Sequence, residues 1–243
     1  WNPKYNKLNK NMQKDKVQEF AKKINIDFNN INLLKQAFVH KSFINENPGF
    51  KLGHNERLEF LGDAVLELVS TDFLFKKFND KPEGELTNIR ASLVNSHHLT
   101  LVAKELEIEK YLFLSHGEEK DKDSKARQYI IANCMEAIIG AIYLDNGYAN
   151  AKQFIEKYIF KNVDEIVDKK LYLDPKTQFQ EKAQELYNIT PKYKLLEESG
   201  PDHKKSFVVG LYVDKKLITK GRGSSKQEAE INAAILGLKK KDW

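Results

Sequence analysis

The stretch HNERLEFLGDAVLELVSTDFLF, which runs from His54 to Phe75, decides the fold of the first part of this chain. Successive residues of an α-helix lie about 100° apart around its axis, so regular spacings keep side chains on one face. Here the spacing predicts a helix whose acidic face lies opposite an apolar, buried face. The acids are Glu56, Glu59, Asp63 and Glu67, and the apolar set is Leu58, Leu61, Val65, Leu68 and Val69.

The acidic face is unusual because like charges at this spacing repel one another and no lysine interrupts the row. It is either a solvated surface or a site for cations. Phe60 lies beside the row, as an aromatic residue on the polar side of the helix.

Composition is typical of a globular protein with one large domain or two ordinary ones, since 41% of the 243 residues are hydrophobic. No apolar run reaches the roughly 18 residues that span a bilayer, and residues 1–16 lack a signal-peptide pattern. The single cysteine, Cys134, excludes an intrachain disulfide and a cysteine-based zinc site. We expect a cytoplasmic protein, or one in another soluble intracellular compartment, without a membrane partner. Because the chain begins with Trp1 rather than Met, we also expect a fragment or a processed product.

A second long apolar helix is predicted over residues 128–144. Glu136 is the only Asp, Glu, Lys, Arg or His within it, and Asn133 lies on the same face. A carboxylate in a helix that is apolar enough to be buried needs a partner. That partner is either Arg57 or Arg90 in a salt bridge, or a cation held against the acidic face of the first helix. Further helices are predicted over 17–24, 31–40, 85–106 and 149–167, and a flexible charged segment over 117–127.

The cation reading has a definite chemistry. Glu59 and Asp63 on the first helix and Asn133 and Glu136 on the second offer the oxygen ligands that Mg²⁺ prefers, and Mn²⁺ is a natural substitute. Such a site activates water and stabilises the leaving oxygen of a phosphodiester.

The pattern changes near residue 174. Asp174 and Pro175 predict the start of a helix that ends near Tyr187, and Ser225 with Glu228 predicts the start of another. Between them, alternating segments predict strands over 193–197, 206–213 and 217–222. Residues 174–243 carry 14 lysines and arginines against 10 acids, a basic excess compatible with a polyanion partner. We therefore expect a flexible basic arm over 1–16, an all-α domain over 17–168, a linker over 169–173 and a small αβββα domain of the α+β class over 174–243.

These segments resemble the ribonuclease III family with one double-stranded RNA-binding domain. The resemblance extends from about residue 20 to residue 240 and is strongest in N-E-R-L-E-F-L-G-D. In chain order it rests on HNERLEFLGDAVLEL (54–68), PEGELTNIRASLV (82–94), IANCMEAIIGAIYLDNG (131–147), DPKTQFQE (174–181), SGPDHKKSF (199–207) and GSSKQEAEINAA (223–234).

The resemblance implies a homodimeric, Mg²⁺-dependent endoribonuclease. It cleaves double-stranded RNA and leaves 5′-phosphate and 3′-hydroxyl ends with short 3′ overhangs. The resemblance also assigns roles: catalysis and metal binding to Glu59, Asp63, Asn133 and Glu136, accessory acidic roles to Glu56 and Glu83, and a dimer contact to Phe60, for which the alternative is a core position at the edge of the acidic row.

The family carries aspartate where this chain has Asn133. An amide keeps one carbonyl ligand but loses the negative charge that attracts Mg²⁺, so we expect weaker metal binding and impaired cleavage. The difference is either a change made to silence cleavage or natural variation with reduced activity. The alternative function is a non-cleaving protein that sequesters or delivers double-stranded RNA. A third possibility is a nuclease-like structural subunit of a ribonucleoprotein.

The C-terminal domain offers three groups of RNA contacts. Short polar side chains on a helix suit the wide minor groove of A-form RNA, and a helix N-terminus suits phosphates. The candidates are Thr177, Gln180, Glu181 and Gln184 on the helix, Pro201, Asp202, His203, Lys204 and Lys205 in the following loop, and Ser224, Ser225 and Lys226 at the start of the last helix.

Overall fold

The computed structural model describes residues 16–121, 124–201 and 205–243. The chain divides into two compact units between Lys169 and Lys170. The first unit is helical and the second carries a three-stranded antiparallel sheet with helices, which confirms the predicted fold class. Of the N-terminal arm predicted over residues 1–16, residues 1–15 lie outside the described residues and Lys16 is helical. No helix in the described part of the chain is long and apolar enough to cross a membrane.

The core of the first unit surrounds two long helices, α4 and α8, which pack against each other more extensively than any other pair in that unit. The elements of this unit are α1 (16–24), α2 (Ile31–Ala37), α3 (Lys41–Glu46), α4 (Glu56–Lys77), α5 (Glu83–Val94), α6 (Ser96–Glu105), a 3₁₀ turn (Ile108–Tyr111), α7 (His116–Lys120), α8 (Lys125–Tyr158) and α9 (Val163–Asp168).

Helices α4 and α8 cross at two glycines. A Cβ atom added to Gly62 would lie 1.8 Å from the carbonyl oxygen of Glu136, and one added to Gly140 would lie 2.2 Å from the carbonyl oxygen of Leu58. Only a hydrogen atom fits at either position, so the two backbones touch directly.

Two predicted helix boundaries are wrong. The helix predicted over 85–106 is interrupted at Asn95, which is extended (φ −70°, ψ 156°) and accepts the backbone N–H of His98 at 2.9 Å to cap α6. The helices predicted over 128–144 and 149–167 meet at Gly147, whose backbone is not helical (φ 79°, ψ 179°), and the second ends at Tyr158 rather than at residue 167. A positive φ of this kind favours glycine.

Two details of the predicted sequence pattern also differ from the structure. The segment expected to be flexible contains the short helix α7 and the start of α8. Leu68, predicted to be buried, is 59% exposed on a side of α4 where Phe60 and Phe75 are exposed as well. The apolar pattern of α4 is therefore wider than the surface that α8 covers.

The second unit has the predicted αβββα order, with α10 and α11 on one face of a sheet ordered β1-β2-β3. Asp174 caps α10 by accepting the backbone N–H of Lys176 at 2.9 Å. The elements are α10 (Pro175–Tyr187), β1 (Lys192–Ser199), β2 (Ser206–Val213), β3 (Lys216–Gly223) and α11 (Lys226–Lys241). Its core consists of Phe179, Ala183, Leu211, Ile218, Ala233, Ala234 and Leu238.

Candidate functional site

The glycine crossing brings together four of the residues singled out by the sequence. Glu59 and Asp63 lie within one turn of Gly62 on α4, and Glu136 is the residue whose carbonyl oxygen Gly62 touches on α8. The Glu59 carboxylate accepts a hydrogen bond from the side-chain amide of Asn133, one turn before Glu136. Asn133 therefore lies beside the Glu59 carboxylate, and this hydrogen bond acts to lower the pKa of Glu59.

The start of α4 is held in place by a buried amide. The Asn55 backbone N–H donates to the carbonyl oxygen of Val39 at 2.9 Å, and its side-chain nitrogen donates to that of Ala37 at 3.1 Å. These bonds join the first turn of α4, which carries Glu56 and Glu59, to the segment after α2.

The cluster of Glu59, Asp63, Asn133 and Glu136 contains three acids and no basic residue. Burial and the charges of Asp63 and Glu59 raise the pKa of Glu136 to about 8. Burial, followed by the charge of Glu56, raises the pKa of Glu59, although the hydrogen bond from Asn133 opposes this. A raised carboxyl pKa means that the environment of the group disfavours its ionised form.

The salt-bridge alternative for Glu136 is not realised. Arg90 instead donates to the Glu67 carboxylate at 3.1 Å and to the Thr71 hydroxyl at 2.8 Å. Across residues 16–121, 124–201 and 205–243, no ion pair joins Glu136 to Arg57 or to any other cation. Glu136, the carboxylate predicted to need a partner, therefore has no cationic partner among the described residues.

The donor chemistry fits a hard divalent cation. Three carboxylates and one amide carbonyl are oxygen ligands of the kind Mg²⁺ prefers. Burial, followed by the charges of Asp63 and Glu59, raises the pKa of Glu136, and a cation would relieve the repulsion among these charges. Among the described residues, however, no three acidic, histidine or cysteine side chains are placed so that they already form a metal-binding group. The structure therefore brings the ligands to one helix crossing without arranging them as a finished cage.

The two acids predicted to have accessory roles are far apart, with Glu56 at the start of α4 and Glu83 at the start of α5. Glu56 pairs with Lys41 at 2.9 Å, and that hydrogen bond lowers the pKa of the Glu56 carboxyl. Glu83 begins α5 and lines a groove of about 390 Å³ beside Thr71 and Phe75. Thr71 lies eight residues beyond Asp63, which is about 12 Å along the helix axis. Within one copy of the chain, Glu56 therefore adjoins the cluster and Glu83 is apart from it.

Phe60 is 80% exposed, so the alternative that it is a core residue is wrong. It lines a groove of about 670 Å³ whose walls are partly apolar. The other lining residues are Leu33, Gln36, His54, Glu56, Arg57, Leu58, Leu61 and Leu144. A large exposed aromatic side chain next to an apolar groove is a feature of association surfaces.

The second unit presents polar groups on its helical side. The helix candidates Thr177, Gln180, Glu181 and Gln184 are all exposed on α10. A groove of about 440 Å³ contains Thr177 and Gln180 of α10 together with Gln227 of α11. Two of the candidate contacts on α10 therefore border a recess whose other wall includes Gln227 of α11.

The start of α11 is partly occupied by its own cap. The Ser225 hydroxyl accepts the backbone N–H of Glu228 at 3.1 Å, and the Glu228 carboxylate accepts that of Ser224 at 2.8 Å. Lys226 is exposed beside them. Of the loop candidates, Pro201 is exposed and Lys205 pairs with Glu198 at 3.1 Å, whereas Asp202, His203 and Lys204 lie outside the described residues.

Comparisons with known proteins agree with both units. Residues 30–163 match the Ribonuclease-III-like family and residues 175–241 match the double-stranded RNA binding motif. Ribonuclease 3 of Borreliella afzelii is 42% identical over 229 residues, which cover 94% of this chain and 93% of that protein. This chain belongs to the ribonuclease III family.

Other ribonuclease III proteins show similar agreement. Ribonuclease 3 of Enterococcus faecalis is 41% identical over 228 residues and covers 94% of this chain and 98% of its own length. The solved nuclease domain of ribonuclease III from Campylobacter jejuni is 39% identical, with a TM-score of 0.54, and covers 60% of this chain and 97% of that domain. Family membership therefore rests on sequence along nearly the whole chain and on the fold of the nuclease domain.

Sequence reasoning missed one residue beside the cluster of this ribonuclease III. Lys41 lies 15 residues before Glu56, at the start of a different helix, and no periodicity links the two. The only signal was its position directly after His40, whose side chain accepts the backbone N–H of Ser42 and caps α3.

Proposed function

We propose that this chain hydrolyses phosphodiester bonds in double-stranded RNA as a Mg²⁺-dependent homodimer, with Mn²⁺ as a substitute ion. The products would carry 5′-phosphate and 3′-hydroxyl ends with short 3′ overhangs. The observation that supports this best is the direct α4–α8 contact at Gly62, which sets Glu59 and Asp63 beside Glu136. A cytoplasmic location is part of the same proposal.

The roles of the four cluster residues follow from their chemistry. When bound, a divalent ion supplies Lewis acidity towards water and phosphate oxygens. Glu59, Asp63 and Glu136 would contribute carboxylate ligands, and Asn133 would contribute its carbonyl oxygen while its amide donates a hydrogen bond to Glu59. Because the pKa of Glu136 is about 8, this carboxyl must release a proton before it can act as a ligand at neutral pH. Cation binding would therefore be accompanied by proton release.

The homodimer proposal rests on Phe60 and the neighbouring groove. A two-fold interface uses the same patch on both subunits, so a projecting residue and a groove on one surface can each receive the other. Phe60 and the groove share such a surface. The Campylobacter jejuni nuclease domain is described as flexible in a region involved in its dimer formation.

The RNA-binding proposal places the duplex on the helical side of the second unit. Exposed polar groups on α10 would contact the minor groove, and the start of α11 would contact phosphates. The proposed residues are Thr177, Gln180, Glu181, Gln184, Pro201, Asp202, His203, Lys204, Lys205, Ser224, Ser225 and Lys226.

Asn133 favours a second candidate function, which is binding of double-stranded RNA without cleavage. Its amide keeps the hydrogen bond to Glu59 but does not contribute negative charge towards a cation. A binding protein would retain both units and lose only the ability to cleave RNA.

The test compares the chain with its Asn133→Asp variant on a long RNA duplex, with and without Mg²⁺. We expect Asn133→Asp to increase cleavage by orders of magnitude, because a fourth carboxylate strengthens metal binding. Asn150→Asp makes the same chemical change at an exposed position on the same helix and should leave cleavage unaltered. Equal and negligible cleavage by the chain and by Asn133→Asp, with duplex binding intact, would establish the binding protein instead.

A further inference from the structure

The sheet of the second unit has one covered face and one open face. Side chains alternate along a strand, and Phe207, Val209 and Leu211 of β2 belong to clusters that contain residues of α11. The intervening residues Val208, Gly210 and Tyr212 therefore lie on the face turned away from the helices.

The open face has an apolar centre. A Cβ atom added to Gly210 would lie 2.9 Å from the ring of Tyr212 and 3.0 Å from side-chain carbons of Leu196 and Leu217. Three side chains from three strands thus converge over a glycine. Leu196 is 42% exposed and Leu217 is 38% exposed, so the strands leave this centre partly open to water.

The rim of the apolar centre carries four cations and one acid, Glu197, which the register places opposite Val208. Strand register places Lys192 opposite Tyr212, Lys194 and Lys220 on either side of Gly210, and Arg222 opposite Val208. None of these four cations forms an ion pair with any described residue, whereas three lysines elsewhere in the unit do. Lys194 lies 5.1 Å from the centre of the Tyr212 ring. The paired lysines are Lys176, Lys182 and Lys205.

We propose that this surface binds an acidic peptide segment of a partner protein, in which aliphatic residues alternate with Asp or Glu. We call it the outer-sheet patch, and it consists of Lys192, Lys194, Leu196, Tyr212, Leu217, Lys220 and Arg222. Carboxylates of the segment would compensate the four unpaired cations, and its aliphatic side chains would cover the apolar centre.

Two other occupants fit the patch less well. A second copy would bring the same cations face to face, because a two-fold contact juxtaposes identical patches. An RNA duplex would match the charge but presents phosphates and sugars, not aliphatic groups, to Leu196 and Leu217. The RNA contacts proposed on α10 and at the start of α11 lie across the sheet from the patch, whereas those of residues 201–205 lie in the loop between β1 and β2. The chain could therefore hold RNA and the peptide together, whether or not it cleaves the RNA.

The test uses the full chain and a labelled peptide in which leucines alternate with glutamates, with binding followed by fluorescence anisotropy. Two control peptides replace leucine by serine or glutamate by lysine. We expect Lys194→Glu combined with Lys220→Glu to weaken binding of the first peptide at least about tenfold, and the control peptides to bind unaltered protein at least about tenfold more weakly. Lys239→Glu, an exposed charge reversal on α11, should have less than about a twofold effect.

Duplex RNA affinity, measured on the same variants, separates this proposal from RNA recognition. We expect the double reversal to leave it within about twofold, since the charges lie across the sheet from the RNA contacts on α10 and at the start of α11. The proposal is wrong if no peptide binds, if all three peptides bind equally, or if the double reversal lowers RNA and peptide affinity in parallel. The control peptides leave the protein unchanged, so a folding defect in a variant cannot produce their result.

Discussion

Replacing Gly62 by alanine tests whether the α4–α8 contact holds the proposed site together. The added Cβ would lie 1.8 Å from the Glu136 carbonyl oxygen, whereas Cβ contacts essentially never fall below 3.0 Å and ordinary van der Waals contact begins at 3.4 Å. The helices must separate by about 1.2–1.6 Å, because a backbone carbonyl cannot rotate away as a side chain can. Overpacking of this kind costs about 3 kcal/mol, which lowers the melting temperature of the first unit by about 6–12 °C.

The same separation has a consequence for the site that loss of stability alone would not produce. Moving Glu59 and Asp63 away from Glu136 weakens their repulsion and admits water, so the pKa of Glu136 should fall from about 8 towards 4.5. Cleavage should fall about 100-fold, since a displacement of roughly 1 Å is enough to misplace catalytic groups. Unfolding is followed by calorimetry, the Glu136 carboxyl by NMR, and cleavage in the Asn133→Asp background, where activity is expected to be highest.

Gly84→Ala provides the matched control, because a Cβ atom there would meet nothing within 4 Å. It should change stability by less than about 0.5 kcal/mol and leave the pKa of Glu136 and cleavage unaltered. The reasoning is refuted if Gly62→Ala behaves like Gly84→Ala, or if Gly62→Ala loses stability while the pKa of Glu136 stays at about 8.

Three further outcomes are expected. With a chelator present, the free energy of unfolding should decline as pH rises from about 4.5 to 8, because folded Glu136 keeps a proton that the unfolded chain releases. Glu136→Gln should flatten this pH dependence in calorimetry. An unchanged slope would contradict the raised pKa of Glu136. Phe60→Ala should weaken self-association about tenfold or more in analytical ultracentrifugation. Equal dimerisation of both forms would refute the proposed dimer contact of Phe60. Lys226→Ala should lower the salt dependence of duplex binding by about one unit of log–log slope, whereas Lys239→Ala should not, and an unchanged slope would remove Lys226 from the phosphate contacts.

Residue spacing was enough to predict most of the secondary structure, and the resemblance of the sequence motifs indicated the family. The row from Glu56 to Glu67 defines one helix face because helical geometry repeats without reference to the rest of the protein. Asp174 and Ser225 mark helix starts because capping is a bond between near neighbours in the chain.

Spacing could not predict features that depend on distant contacts. Asn95 interrupts a continuous helical pattern because its side chain caps the following helix. The residue could instead have continued the helix, and packing decides between these two local structures. Lys41 pairs with Glu56, and Leu68 is exposed, because of how the helices pack against one another.

The sequence by itself therefore determined which residues could form helices, strands and a set of oxygen ligands. Only the tertiary structure decided that Glu59 and Asp63 face Asn133 and Glu136 at a crossing too close for any side chain. The physical reason is that propensity and capping act over a few residues. The burial and the charges of Asp63 and Glu59 that raise the pKa of Glu136 instead depend on packing against a helix about 70 residues away in the chain.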